Sequence, residues 1–155
     1  MIPLDKNRLI EQVNQLGYSI SGLNDLMKIG PKDKVVIPVL LEHLQTITDE
    51  RDKQTLVRCL GVKGYDEVTS FLIEEYRKSD SHYYKWAIGN SLEIIRDKSK
   101  LHEYVEIIKN KEHGRSRQMI VTLVGKLGGA KEASVLLELL HDQDVNLHAI
   151  DAIGA

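Results

Sequence analysis

Six histidines and one cysteine are the residues of this sequence whose chemistry could support metal binding or nucleophilic catalysis. No two histidines stand four positions apart beside a glutamate, so the zinc-peptidase pattern is absent, and one cysteine is too few for a structural zinc set. Gly125-x-x-Gly128-Gly129 indicates close helix packing and a helix C-cap rather than a phosphate-binding loop. The sequence therefore predicts no metal site, no cofactor and no catalytic residue. The residues considered are His43, His82, His102, His113, His141, His148 and Cys59.

A column of glutamates is the second candidate for chemistry, because it recurs at a constant step of 32 residues. Its members are Glu42, Glu74, Glu106 and Glu138. On neighbouring helical units such residues lie about 8–10 Å apart, one interhelical distance. We therefore predict a solvated outer stripe rather than an array of acid–base groups.

Aromatic residues are concentrated in residues 81–86 of a chain that is only 5% aromatic. This segment contains Tyr83, Tyr84 and the only tryptophan, Trp86. Aromatic and arginine side chains are enriched among the residues that dominate binding energy at protein interfaces. Trp86 is thus a candidate anchor for a partner, and the alternative is that Trp86 and Tyr84 fold back to fill the space between repeats.

Basic residues alternate along residues 109–117, and together with Arg51, Lys53 and Lys85 they could form a rim around the aromatic segment. Such a rim could bind a phosphate backbone or an acidic protein segment, although a run of this kind is also typical of a solvated turn. The predicted partner-binding residues are Gln54, Arg58, Tyr83, Lys85, Trp86, Asn90, Glu93, Arg115, Arg117, Gln118 and Thr122.

These residues belong to an internal repeat of 32 residues. The column Leu40, Leu72, Tyr104 and Leu136 recurs in the first half of each unit. The second half has apolar residues at positions i, i+3 and i+4, which is the pattern of one helix face, and its fourth copy arrives three residues early. Alternating strand patterns are absent. Each unit therefore reads as helix A, a polar turn and helix B, and the predicted class is all-α.

The units divide the chain into a single domain with an atypical N-terminal helical cap at residues 1–30. Four repeats follow at about 31–64, 65–97, 98–129 and 130–155. The last helix pair is apolar on more than one side, so we expect the chain to be a fragment of a longer solenoid or to associate with itself through this end.

Composition limits the function classes further. The chain has 155 residues, is 42% hydrophobic and carries a formal charge of -2, which is ordinary for a globular protein and argues against a dedicated nucleic-acid binder. We find no secretory signal and no apolar stretch that could span a membrane. A single cysteine fits a reducing compartment, and the predicted location is cytoplasmic.

The repeats resemble HEAT repeats of the armadillo-like class, of the type also found in phycobilin-lyase-like proteins. The resemblance covers about residues 31–155 and rests most clearly on residues 132–154, where a helix ends in Leu139-Leu140 and the B helix ends in Ile153-Gly154. It implies a right-handed α-α superhelix, an α-solenoid of about four helix pairs. It also implies that the B helices line the concave surface.

HEAT repeats often place a basic residue early in helix B, where it pairs with turn aspartates of neighbouring repeats. By this resemblance Lys53, Lys85 and Arg117 occupy that column. Ser81 and His113 stand at the turn positions of the middle repeats, so the ladder is expected to be interrupted.

Two functions from different classes follow. The first is a non-catalytic interaction module, or scaffold, that binds a protein or peptide on its concave B-helix face. The alternative is a nucleic-acid-binding or DNA-glycosylase-like HEAT protein that uses a basic and aromatic rim. A lyase that attaches bilins is a further member of the enzyme class. A glycosylase-like site would need a carboxylate framed by aromatic residues, and Glu93 is the only acid near Trp86 on that face. The negative net charge of the chain favours the first function.

Overall fold

The computed structural model describes residues 1–154, where it shows an all-helical protein with 75% helix and no strand. The helices are α1 (Lys6–Gln15), α2 (Leu23–Leu26), α3 (Ile37–Thr46), α4 (Glu50–Leu60), α5 (Thr69–Lys78), α6 (His82–Ile95), α7 (Leu101–Lys109), α8 (Gln118–Leu127), α9 (Ala130–Glu138) and α10 (Asn146–Gly154). Short 3-10 helical turns precede α3, α5 and α7, and the segment Lys111–Arg117 before α8 has 3-10 turns on both sides of a kink at Gly114. The all-α prediction is confirmed.

Local sequence explains where several helices begin. The Asp49 carboxylate accepts a hydrogen bond from the Asp52 N–H at 3.0 Å, and Ser81 Oγ accepts one from the Tyr84 N–H at 3.3 Å. Both side chains satisfy N–H groups that have no partner within the helix. Pro38 lies in the first turn of α3, where its missing N–H costs little. The proline therefore marks the start of this helix.

The A helices are α3, α5, α7 and α9, and each packs against the B helix that follows it. The B helices also pack directly against one another in the order α4, α6, α8, α10. The side chains predicted to repeat in the core are buried. They are Leu40, Leu72, Tyr104 and Leu136 in the A helices and Cys59, Ser91, Leu123 and Ala152 in the B helices. The sequence repeat thus corresponds to one continuous core.

The two layers of helices differ in spacing. The B helices cross so closely that a Cβ on Gly61 would lie 2.6 Å from Ser91 Oγ, and one on Gly125 would lie 2.5 Å from Ala152 Cβ. The A helices of neighbouring pairs approach each other less closely, and a groove of about 630 Å³ lies between α7 and α9. The B helices are therefore packed closely at these two glycines, whereas the A helices are more widely spaced.

The N-terminal segment is tied to the first A–B turn. The backbone N–H groups of Thr48 and Asp49 donate to the Ile2 carbonyl at 2.8 and 2.9 Å, and the Leu4 N–H donates to the Asp52 carboxylate at 2.8 Å. Helix α1 packs against α3, whereas α2 is a single turn. The N-terminal pair thus covers the first A helix without repeating its geometry.

Candidate functional site

The solvent side of helices α4, α6 and α8, here called the B face, carries most of the predicted partner-binding residues. Eight of the eleven are exposed or half-buried. Seven of these lie on the three helices, namely Gln54, Arg58, Tyr83, Trp86, Asn90, Gln118 and Thr122, and Arg115 lies in the turn before α8. Because α4, α6 and α8 pack side by side, residues at the same step of the repeat form rows across the three helices. Trp86 lies in the row between Gln54 and Gln118, at the middle helix.

The aromatic segment divides between the surface and the core. Tyr84 is buried, and its hydroxyl donates to the Glu75 carboxylate at 2.9 Å. Tyr83 is 71% exposed, and Trp86 is half-buried with its ring centroid 5.9 Å from that of His82. Of the two alternatives for this segment, Tyr84 therefore fills the space between helices, whereas Trp86 remains accessible on the B face.

Arg117, predicted as a partner-binding residue, is instead fully buried. Its guanidinium donates to the carbonyls of Gly114 and Ile108 at 2.7 and 2.9 Å, and to the Asp142 carboxylate of the next repeat at 2.8 Å. These acceptors use the fork of the guanidinium and leave it unavailable to a ligand. Arg117 thus joins the third repeat to the fourth. The prediction that it belongs to a basic rim is wrong.

Lys85 and Glu93 are also buried, each with 8% of its surface exposed, which corrects their assignment to the binding surface. The Lys85 ammonium lies 2.6 Å from His113 Nδ1 in the next repeat, and burial lowers the pKa of Lys85. The Glu93 carboxylate pairs with Arg96 at 3.1 Å and with Lys126. Glu93 is therefore not a free carboxylate beside Trp86, as the glycosylase-like alternative would need.

The basic column of the B helices links neighbouring repeats. Lys53 lies 3.9 Å from the Glu75 carboxylate and 4.4 Å from the centre of the Tyr84 ring. Lys85 faces His113, and only Arg117 meets a turn aspartate. The aspartate ladder is thus interrupted at the repeats where serine and histidine replace aspartate, as the sequence predicts.

His113 occupies a half-buried polar cluster between the second and third repeats. Its ring lies 4.9 Å from that of Tyr76, whose hydroxyl is 2.6 Å from Ser116 Oγ. Burial lowers the pKa of His113 to about 4, and the charges of Lys85 and Arg117 act in the same direction. The contact with the Lys85 ammonium requires Nδ1 to accept, so His113 is in its neutral form here.

Replacing His113 with asparagine should make the protein's stability less dependent on pH. Above pH ~6.5 the ring is neutral in the folded and unfolded states. Between pH ~6.5 and about 4 only the unfolded chain takes up the proton, so the free energy of unfolding falls as the pH decreases. We expect this loss to reach about 1–2 kcal/mol at pH 4.5, after allowance for solvent near the ring.

Urea unfolding followed by circular dichroism at pH 7.0, 5.5 and 4.5 would measure the difference between wild type and the His113→Asn variant. His141→Asn is the matched control, because His141 is exposed. Parallel pH profiles for wild type and His113→Asn would contradict the lowered pKa, because they would show that the folded ring takes up its proton as readily as the unfolded one.

The B face has cations that the structure leaves without an acidic partner. In residues 1–154 no carboxylate lies within ion-pair distance of Arg51 or Arg58, both of which are exposed on α4. Among residues 1–154, the Arg58 guanidinium donates one side-chain hydrogen bond, to Gln54 Oε1 at 3.5 Å. On the A side, by contrast, Arg77 pairs with Glu103 and a second glutamate at 3.3 and 3.4 Å. The unpaired positive charge is thus at the α4 end of the B face.

Two residues of the B face were not among those predicted, Ile94 and Lys126. Ile94 is 46% exposed at the end of α6, and Lys126 is exposed at the equivalent position of α8. The repeat contains the signal that could have identified them, because Ile94 and Lys126 are separated by one 32-residue step. They extend the B face by one more row.

The fourth repeat exposes large apolar side chains. They are Leu137, Leu147, Ile150 and Ile153, which are 53%, 69%, 54% and 42% exposed. Leu137 and Ile153 border a cavity of about 260 Å³ beside Gly125. Self-association through this repeat stays a prediction.

Across the part of the chain that the structure describes, no helix is long and apolar enough to cross a membrane. Nor do three or more His, Cys, Asp or Glu side chains gather there into a group that could hold a metal ion. Comparison with protein-family models, curated proteins and solved structures finds no match to this chain.

Proposed function

We propose that this protein is a HEAT-like α-solenoid that binds a protein or peptide on its B face and has no catalytic role. The solenoid arrangement is supported by the alternation of A and B helices and by the buried core columns at a constant 32-residue step. Close B helices beside more widely spaced A helices favour curvature with the B face on the concave side. The free, buried thiol of Cys59 is in keeping with a cytoplasmic location.

The observation that carries the proposal is the position of Trp86. A tryptophan can bury a large apolar surface, yet Trp86 is not one of the buried residues that form the core. Trp86 is nevertheless held half-buried at the middle of the B face, with exposed Tyr83 on the preceding turn. A rigid aromatic side chain that is partly supported by its own helix is a typical interface anchor.

The nucleic-acid alternative has less support. A phosphate backbone is bound by several cations along one path, and binding weakens steeply with salt. Two cations of the predicted rim, Lys85 and Arg117, are buried within the protein. Arg115 lies 3.6 Å from the Asp144 carboxylate, so its charge is partly neutralised. These contacts leave few cations for a phosphate backbone, so they favour a ligand that is bound by fewer cations of the protein.

Trp86→Ala should weaken binding far more than it weakens folding. Peptides selected from a random display library on the wild-type protein would be titrated by calorimetry. We expect the variant to lose about 2 kcal/mol of binding free energy, or roughly 30-fold in Kd, while its unfolding midpoint changes by only a few degrees.

Glu74→Ala is the control, because Glu74 is exposed on an A helix and should leave binding unchanged. A Trp86→Ala variant that binds normally, or one that loses ~3–5 kcal/mol of unfolding free energy, would refute the proposed role of this side chain. Failure of the library to yield any peptide that binds the B face would count against the function itself.

A further inference from the structure

We propose that the ligand of the B face is an acidic, extended peptide segment, with one carboxylate on Arg58 and an apolar side chain on Trp86. This inference rests on the proposed function and adds the chemical class of the partner. It is carried by two independent features of the surface, the unpaired arginines of α4 and the accessible aromatic residues of α6.

Charge is the first feature. Arg51 and Arg58 are exposed without a carboxylate in ion-pair distance, within the part of the chain that the structure describes. Most other exposed cations near the B face already have partners, since Arg96 and Lys126 pair with Glu93. On the B face the free guanidinium groups are therefore confined to α4. Their planar forks suit carboxylates and can bind them through two hydrogen bonds.

The accessible aromatic side chain of Trp86 is the second feature, and its distance from the arginines suits a single ligand. Arg51 and Arg58 are seven positions apart on α4, which is about 10 Å along the helix axis. Trp86 lies on the adjacent helix, about 8–10 Å across the B face. An extended peptide advances ~3.3 Å per residue, so about three residues separate the group over the arginines from the group over the tryptophan. The preferred motif is thus an Asp or Glu followed or preceded, three positions away, by a large apolar residue.

The direction of the charge gradient limits where the acidic group can bind. Exposed Asp151 lies on α10, at the other end of the same layer, at the step of the repeat that Arg58 occupies on α4. Acidic residues of a ligand are repelled at that end and attracted at the α4 end. A peptide that crosses the B helices should therefore place its acidic part over α4 and its neutral or apolar part over α6 and α8.

A peptide is favoured over a nucleic acid by the number of free charges. A single-stranded nucleic acid carries one negative charge per nucleotide and would continue over the acidic end of the layer. Two free arginines match one or two carboxylates, whereas they neutralise only a small part of a polyanion. The ligand class that this surface fits is therefore a short acidic segment of a protein.

The test is selection of a random ten-residue peptide library on three forms of the full chain, followed by fluorescence titration. Wild type should enrich peptides with Asp or Glu three positions from a large apolar residue. Arg58→Glu should lose this enrichment and bind the selected peptides about tenfold more weakly. Lys109→Glu is the matched control, because it makes the same charge change at an exposed site of an A helix. Trp86 reports binding directly as the only tryptophan.

Each other outcome has a definite meaning. Neutral or basic peptides that bind wild type but not Trp86→Ala, as compared by calorimetry because the variant has no tryptophan, would overturn the acidic ligand and leave the proposed function standing. Tight, strongly salt-dependent binding of a ten-nucleotide oligothymidine, without peptide binding, would overturn both. Enrichment of acidic peptides that bind Arg58→Glu and wild type equally would overturn the assignment to α4.

Discussion

Replacing Arg117 with methionine is expected to lower the free energy of unfolding by about 3–5 kcal/mol. Methionine keeps much of the apolar volume but cannot donate hydrogen bonds. The change therefore leaves the Ile108 and Gly114 carbonyls without this partner and removes the cation that faces Asp142. Breaking one side of a buried ion pair is costly because the remaining charge stays away from water.

Arg115→Met is the matched control. Arg115 is two positions earlier, and its side chain is 71% exposed with only a long 3.6 Å contact to Asp144. We expect a change of less than about 1 kcal/mol there. Arg117→Lys should lower the free energy of unfolding by more than Arg115→Met does, because an ammonium group cannot reach all three acceptors of Arg117 at once. Chemical unfolding monitored by circular dichroism measures the stability of all three variants. Equal stability of Arg117→Met and wild type would show that Arg117 does not make these buried hydrogen bonds.

The burial of Arg117 shows what periodicity can and cannot predict. The repeat step correctly places Lys53 and Lys85 in the first turns of α4 and α6, and Arg117 directly before α8, in one column. It does not say whether a long side chain at that position turns outward or inward. The direction depends on acceptors from two other segments, the Ile108 carbonyl and the Asp142 carboxylate. Those groups are brought together only by the packing of the next repeat.

Glu93 is a different case, because the sequence contains the relevant signal. Its repeat equivalents are Gly61 and Gly125, and glycine at a constant position of packed helices indicates close approach of backbones. That column belongs to the crossings between B helices rather than to an open face. What the sequence does not show is how a glutamate is tolerated there. It is tolerated because Arg96 and Lys126 pair with the carboxylate.

The core columns were predicted well because two constraints coincide at each position. A buried helical residue must recur with the period of the helix, and an equivalent one must recur in each repeat. Leu72 and Tyr104 satisfy both and are fully buried. The B face satisfies only the weaker condition of lying opposite these columns. For that reason its general position was predictable, whereas the exposure of individual long side chains was not.

The second large effect is expected for Gly125→Leu, which should weaken the docking of α10 by about 3 kcal/mol, the upper end for overpacking a core. The first side-chain atom alone would lie 2.5 Å from Ala152 Cβ and 2.9 Å from Ala152 Cα. A backbone atom cannot rotate away, so α10 must move as a whole. Leucine has a better helix propensity than glycine, by about 1 kcal/mol, and this gain in stability is too small to offset the clash.

The loss should be local, because α10 is the only helix across that contact. Hydrogen exchange should show residues 146–154 losing protection first, while α4 and α6 keep theirs. Gly129→Ala is the control, since nothing lies within 4 Å of a Cβ at that glycine. Adding Ala152→Gly to the Gly125→Leu variant should recover part of the protection, because it removes one of the two clashing atoms. Unchanged exchange in α10 of Gly125→Leu would mean that the B helices do not approach as closely as the structure shows. Close packing at this crossing would then no longer support curvature toward the B face.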